Sequence, residues 1–334
     1  MSLTIRPAEI SDLDALTALL LADAEDRHTA EPKLWQLDDA AQSKTRAALE
    51  SVLGAAQPPL RQHWLVAISE GRLVGATHSL LLPVPPIYAG AFGPPGLLME
   101  DGAVTPDAPR GTRRALLEAA ETDLIGTGAR ILLASSVPGG AWESAYARRG
   151  YAPLTLYFAK TGLARPVAFA AVRQATAEDV PEIVASSAVN RRILESLHPP
   201  FWKPHDEADD RFGAWMRRSL SLEDRDMFVS QADGRVRGYA ISQPATSLHI
   251  PAAHNIAGIG VIDDFFDDAL AQPARLGPEA PRAGALLSAA EAARRERGDH
   301  SVLVVCPAAW HGKIDLLERY GYHNAITWHI RQVT

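Results

Sequence analysis

Cysteine is nearly absent: Cys306 stands alone in 334 residues. A single thiol cannot form an intramolecular disulfide or a cysteine-rich zinc cluster, and it points to a reducing compartment. No run of about 18 apolar residues occurs, so no transmembrane helix is expected. The opening MSLTIRPAEISDLDALTALL lacks a basic segment followed by an apolar one, so it does not read as a signal peptide. An excess of basic charge is missing too. With 33 Lys and Arg against 40 Asp and Glu, the formal charge is −7, which argues against a nucleic-acid or anionic-membrane binder. There is no Gly-x-x-x-x-Gly-Lys-Ser/Thr loop and no Gly-x-Ser-x-Gly elbow, which excludes a phosphate-loop NTPase and an α/β-hydrolase nucleophile. A soluble, cytoplasmic protein is expected.

What is present is ordinary globular material, 47% hydrophobic and 22% charged, enough for two cores. The chain also repeats itself once. IRPAEISDLDALTALL aligns with VRQATAEDVPEIVASS, setting Arg6 on Arg173 and Asp12 on Asp179. SEGRLVGATHS aligns with QADGRVRGYAI, setting Gly71 on Gly234 and Gly75 on Gly238. Glu100-Asp101 falls on Asp263-Asp264, Leu116-Leu117 on Leu286-Leu287, and Gly150-Tyr151 on Gly321-Tyr322. Five blocks in one order imply two copies of one fold, 1–163 and 164–334, joined near Lys160–Pro166.

Each copy has the same predicted layout. A short strand ends at Arg6, and Ser11-Asp12 offers an N-cap before the stripe Leu13, Leu16 and Leu20. A less regular helical stretch follows. His63–Ile68 and Leu73–Leu82 read as a hairpin, Pro83–Gly96 as a loop and Leu97–Val104 as a strand. Arg113–Leu124 is an amphipathic helix, Ile131–Ser135 a buried strand and Trp142–Arg149 a short helix stopped at Gly150. Leu154–Ala159 closes the unit. The order βααβββαβαβ describes an α/β fold.

In the Arg-Pro-Ala…Asp opening, the Gly-Arg-Leu-Val-Gly hairpin, the strand–loop–helix around Val104–Leu117 and Ala-Tyr-Ala-Arg-Arg-Gly-Tyr at 145–151, the chain resembles the GNAT superfamily of acyl-CoA-dependent N-acyltransferases, present twice. The resemblance implies two tandem GNAT domains, each a mixed, mostly antiparallel sheet flanked by helices, the C-terminal one degenerate. It implies acetyl-CoA as co-substrate, no metal, and a small-molecule amine as acceptor, with neither nucleic acid nor membrane as partner. It leaves the acceptor and the oligomeric state open.

The resemblance also implies site residues. The family's pyrophosphate loop, R/Q-x-x-G-x-G/A, falls on Ala108-Pro109-Arg110-Gly111-Thr112-Arg113. A helix N-terminus with glycine suits an anion, because unpaired N–H groups and the positive dipole end meet it there. Only Gly111 keeps the pattern. Arg113 stands where the family has Gly or Ala, able either to donate to phosphate or to fill the cleft. In the second copy Ala280-Pro281-Arg282-Ala283-Gly284 takes this place, with Asp267 and Asp268 upstream. The family's general acid, a helix tyrosine, falls on Tyr146, and its counterpart is Leu317, which has no proton to give. A base is needed to deprotonate the amine, and Glu100 and Asp101 are the candidates, mirrored by Asp263 and Asp264. Neighbours on a strand face opposite ways, so one at most points into the cleft. The backbone at Ala103 and Val104 is expected to offer N–H groups to the thioester oxygen. Two other readings stay open: a CoA-binding regulator that no longer transfers, and an interaction protein with both clefts closed.

Remaining signals read as structural. Gly258-Ile-Gly260 leads into a strand. Cys306 ends the apolar run Val302–Val305 and reads as core rather than as a site with His300 and His311. His249 and His254 flank Pro251 in a loop. The segment His198–His205 and Trp35 anchor helices or shape an acceptor pocket.

Overall fold

The computed structural model describes residues 3–55, 60–163 and 170–333. The first half runs β1 (Leu3–Pro7), α1 (Leu13–Ala30), α2 (Ala41–Leu53), β2 (Gln62–Ser69), β3 (Arg72–Leu81), β4 (Gly96–Leu98), β5 (Ala103–Val104), α3 (Thr112–Gly126), β6 (Ile131–Ser136), α4 (Ala141–Arg148) and β7 (Ala152–Thr161). The second runs β8 (Val172–Gln174), α5 (Val180–Leu197), α6 (Pro199–Trp202), α7 (Ala208–Ser219), β9 (Asp226–Ala232), β10 (Arg235–Pro244), β11 (Ile259–Asp267), α8 (Ala280–Glu296), β12 (Ser301–Pro307), α9 (His311–Arg319) and β13 (His323–Gln332). No helix among the described residues is long and apolar enough to cross a membrane.

The repeated residues build the same local devices twice. Arg6 grips both oxygens of Asp12 at 2.6 and 2.8 Å, and Asp12 accepts the Glu9 N–H at 2.8 Å. Arg173 and Asp179 do the same, with the Thr176 N–H at 2.7 Å. Each aspartate thus caps the turn that leads into α1 or α5 while fixing the preceding strand. The two hairpins turn through Glu70-Gly71 and Asp233-Gly234, all four left-handed in φ. Such a turn matches the twist of the flanking strands and favours glycine at its second position.

The strands form one sheet, ordered β1-β2-β3-β4-β6-β13-β7-β12-β11-β10-β9-β8, with β5 paired to β3. The closing strands are exchanged. β13 lies antiparallel between β6 and β7, and β7 lies antiparallel between β13 and β12. The division at 163/164 therefore follows a strand whose ladder partners both belong to the second half. Ala164–Pro166, part of the expected join, lie outside the described residues. At the seam, Tyr157, Ala159, Leu303, Ile326 and Trp328 share one apolar cluster. On the face behind the first half, Leu116, Leu117, Ala120 and Leu124 of α3 pack on Leu98, Leu132 and Ala134.

The expected strand Leu97–Val104 is two short strands broken at Met99–Gly102. β4 is parallel to β6 as far as Leu98↔Ala134, whereas β5 pairs only with β3. The chain leaves one neighbour before rejoining the other, and the sheet splays there. β11 stays whole but holds one extra residue: Ile241 pairs with Asp264 and Ser242 with Ile262, leaving Asp263 as a bulge. It too runs parallel to its inner neighbour β12 only as far as Ile262↔Val304. Both splays open at the paired carboxylates.

Each half also roofs the other. Asp38 N–H bonds Ala253 O at 3.0 Å and Asn255 N–H bonds Gln36 O at 2.7 Å. On the opposite side Ala89 N–H bonds Lys203 O at 2.8 Å and His205 N–H bonds Ile87 O at 2.9 Å.

Candidate active site

The two carboxylates of the first splay part company, from a turn rather than a strand. Glu100 is buried. One of its oxygens accepts from Ser135 Oγ at 2.5 Å, and the other has no partner. Its carbonyl accepts from Arg27 of α1, which is paired with Asp23 at 2.8 Å. Burial pushes the Glu100 carboxyl up to about 7. Asp101 instead lines a cavity of about 410 Å³ between the sheet and α1–α2. There it meets His78 of β3, whose Nδ1 is 3.0 and 3.2 Å from the two carboxylate oxygens. His78 Nε2 lies 3.2 Å from Gln62 Oε1, and the ring stacks on Trp64 with centroids 4.4 Å apart. The second half contributes His254 to this cavity wall. Both nitrogens of His254 are buried without a partner, and burial, with the Arg27 charge, holds its pKa down at about 4.

On the other side of the splay lies the start of α3. Gly111 is left-handed in φ and exposed, with nothing within 4 Å of the position a Cβ would take. Arg110 is exposed beside it, whereas Thr112 is buried and donates to Pro109 O at 2.8 Å. Arg113 neither projects into water nor blocks Gly111. It lies half-buried over the Trp142 ring at 5.4 Å, with its Nε buried and unpartnered. Trp142 in turn donates its indole N–H to Gly102 O at 2.8 Å. Thr105 N–H bonds Val74 O, so antiparallel alternation commits the Ala103 amide to β3 and turns the Val104 amide toward the splay. Of the two amides expected to face the thioester, Val104 alone has that orientation.

Tyr146 is 1% exposed. Its ring lies 6.0 Å from Trp142, 5.5 Å from Tyr151 and 5.7 Å from His329, centroid to centroid. Burial, reinforced by Glu100 and Asp101, pushes its hydroxyl well above the usual phenol value. His329 comes from β13, and its Nε2 is 3.0 Å from Ser136 Oγ. The last strand of the chain thus completes the surroundings of a first-half tyrosine.

The second half differs at each point. Lys313 stands where the first half has Trp142, by the offset that carries Gly150 to Gly321, and its Nζ donates to Phe265 O at 2.8 Å. Trp310 is buried beside it, its indole N–H on Leu270 O at 3.0 Å. Leu317 is fully buried. A Cβ on Gly284 would lie 1.7 Å from the Tyr320 hydroxyl oxygen, so that ring covers the start of α8. The expected negative charge of Asp267 is neutralised by Arg282 at 2.8 and 3.0 Å. The amides of Ala280, Arg282 and Ala283 bond the carbonyls of Gly277 and Glu279. Cys306 is buried core, its thiol pushed up to about 12. Among the described residues no group of three or more His, Cys, Asp or Glu could hold a metal.

His78, His329 and Trp142 carry no repeat signal. Their counterparts differ in type, as with Ile241 opposite His78, so matching blocks passes over them. A search for mismatches inside matched blocks would have found His78, and Trp142 only once the offset of the Gly150-Tyr151 block is carried upstream. His329 needed the strand exchange.

No protein-family model and no curated protein matches the chain. Solved structures do. A GCN5-related N-acetyltransferase from Sphaerobacter thermophilus is 17% identical, with a TM-score of 0.58, covering 99% of this chain and 95% of that one. A tandem GNAT protein from the clavulanic acid biosynthesis pathway is 16% identical, with a TM-score of 0.50, covering 99% and 98%. At these identities the likeness gives the fold, and the chain has the tandem GNAT fold.

Proposed function

We propose that this chain, folded as a tandem GNAT protein, is an N-acyltransferase that moves an acetyl group from acetyl-CoA to a small amine in its first half. The observation that carries the reading is the asymmetry of the two splays. The first has an open left-handed glycine at one end and an acid-lined cavity at the other. In the second, Tyr320 covers the helix start, and Trp310 and Lys313 fill the crevice.

The residues fit an acyl-CoA. Exposed Gly111 and Arg110 at the start of α3 suit the pyrophosphate, and the unpartnered Nε of Arg113 is a donor without an acceptor. Trp142 narrows the crevice beside Gly102, which supports a short acyl group. When bound, acetyl-CoA supplies an electrophilic carbonyl and a thiolate leaving group.

Asp101, which lines the cavity and is held in place by His78, takes a proton from the ammonium group on a carboxylate oxygen and frees the nitrogen lone pair for attack at the carbonyl carbon. The Val104 N–H, turned toward the splay, would be the donor to the oxygen on which charge grows. As the C–S bond breaks, the Tyr146 hydroxyl gives its proton to sulfur. Its raised pKa keeps it protonated until that moment. The cavity is mainly apolar, with Asp23 and Asp101 as its anions, and supports an amine with an apolar body.

Two measurements test the reading. Acetyl-CoA raises the melting temperature of the folded chain, since a ligand of the native state alone stabilises it. Tyr146→Phe lowers turnover at least about tenfold while the melting temperature stays near the parent value. No shift at millimolar acetyl-CoA, or full activity in Tyr146→Phe, overturns it.

A further inference from the structure

The second half keeps a large cavity although its crevice is filled. It measures about 670 Å³ and opens between the splay of β11 and the helices α5 and α7. The loop Pro85–Tyr88 of the first half closes one wall.

Its two sides differ in chemistry. On the sheet side the bulge brings Asp263 and Asp264 to the same cavity. Asp264 accepts from Tyr239 OH at 2.9 Å and from Asn190 Nδ2 at 3.1 Å. Asn190 is 6% exposed, lines the cavity, and leaves its Oδ1 without any donor. Buried carbonyl oxygens of this kind are normally satisfied, so an N–H donor is missing here. On the helix side Trp215 is 40% exposed, with Arg225 at 4.6 Å and Arg218 at 5.9 Å from its ring. Arg225 Nε is buried and unpartnered, and its nearest carboxylate, Asp224, is 3.7 Å away. Between the two sides the wall is mostly apolar and aromatic, with Phe212, Trp202 and Ile241, and its other cations are committed: Arg191 to Ser187 and Asp209, Arg211 to Glu207, and Lys313 to Phe265 O. The first-half cavity has no such arginine side, so the two cavities ask for different molecules.

We infer that the second-half cavity binds a zwitterion, with an ammonium group toward Asp263 and Asn190, an aromatic or apolar body, and a carboxylate toward Arg225 and Arg218, and holds it without acylating it. Leu317 leaves the tyrosine position of this half without a proton donor, and Trp310 and Lys313 are buried in the crevice with their polar atoms bonded to Leu270 O and Phe265 O.

Calorimetric titration of the full chain without acyl donor tests this with three probes: 4-(2-aminoethyl)benzoate, phenethylamine and 3-phenylpropanoate. The zwitterion binds once per chain below about 1 mM and at least about tenfold tighter than either singly charged probe. Asp263→Asn, on an exposed side chain whose hydrogen bond from Gln243 Nε2 at 3.3 Å the asparagine oxygen can still accept, weakens both amine probes about tenfold and spares 3-phenylpropanoate. Arg225→Gln weakens the two carboxylate probes by a similar factor. Trp215→Ala, at the partly exposed rim, weakens all three, with circular dichroism checking its fold. Asp101→Asn, in the other cavity, leaves the zwitterion's affinity unchanged. Equal affinity for the three probes, no binding at about 10 mM, or loss in Asp101→Asn without loss in Asp263→Asn overturns the inference.

Discussion

Glu100→Gln should change the pH dependence of stability in a way fixed by one buried carboxyl group. In the unfolded chain Glu100 has the ordinary value of 4.5, and in the fold it is pushed up to about 7. The native state therefore holds this proton more tightly than the unfolded state. Its contribution to stability is complete below about 4.5 and is lost as the pH climbs through about 7. The difference between 4.5 and 7 is 2.5 units, which at 1.36 kcal/mol per unit amounts to roughly 3 kcal/mol. Glutamine has no proton to lose, and its carbonyl oxygen can still accept from Ser135. Urea unfolding of both proteins at pH 5 and pH 8, extrapolated linearly, gives two differences in stability. From pH 5 to pH 8 the variant gains on the parent by up to about 3 kcal/mol. Titrating groups remote from Glu100, such as Asp264, cancel in the comparison because they are common to both. A difference that stays constant within about 0.5 kcal/mol shows that Glu100 is not held protonated, and the reasoning from its burial then fails.

Two further outcomes follow from the fold. Leu317→Ala, at a fully buried site without acid chemistry, costs about 2–5 kcal/mol in denaturant unfolding and leaves acetyl transfer per folded molecule intact; a specific loss of turnover would move the active centre to the second half. Because β13 and β7 are exchanged between the halves, calorimetry should show one unfolding transition with equal calorimetric and van't Hoff enthalpies, and two separated transitions would count against that continuity.

Much of the architecture is legible in the sequence because it is set locally. Arg6 with Asp12 and Arg173 with Asp179 lie six residues apart and close their own turns. Gly71 and Gly234 take the left-handed positions their hairpins require. Helix α3 follows from the spacing of Leu116, Leu117, Ala120 and Leu124. The break at Met99–Gly102 is not legible, since Leu97–Val104 reads as one strand. What breaks it is the point where β4 leaves β6, a matter of pairing across some 35 residues of chain.

The candidate site divides in the same way. Tyr146, Gly111 and the carboxylate pair stand out in the sequence because each sits in a motif with a counterpart to compare. Which carboxylate faces the cavity depended on the turn, and what meets it depended on β3 bringing His78 alongside Asp101. Arg113 is ambiguous as a sequence feature, and its place over Trp142 exists only once α3 and α4 are packed together. The sequence by itself determined the duplication, the element order and the difference between Tyr146 and Leu317, all properties of residue type and short-range spacing. Only the tertiary structure decided that the closing strands cross over, that His329 of the last strand sits beside Tyr146, and that each half roofs the other's cavity. Those contacts join segments up to about 220 residues apart, and no local preference along the chain encodes such a meeting.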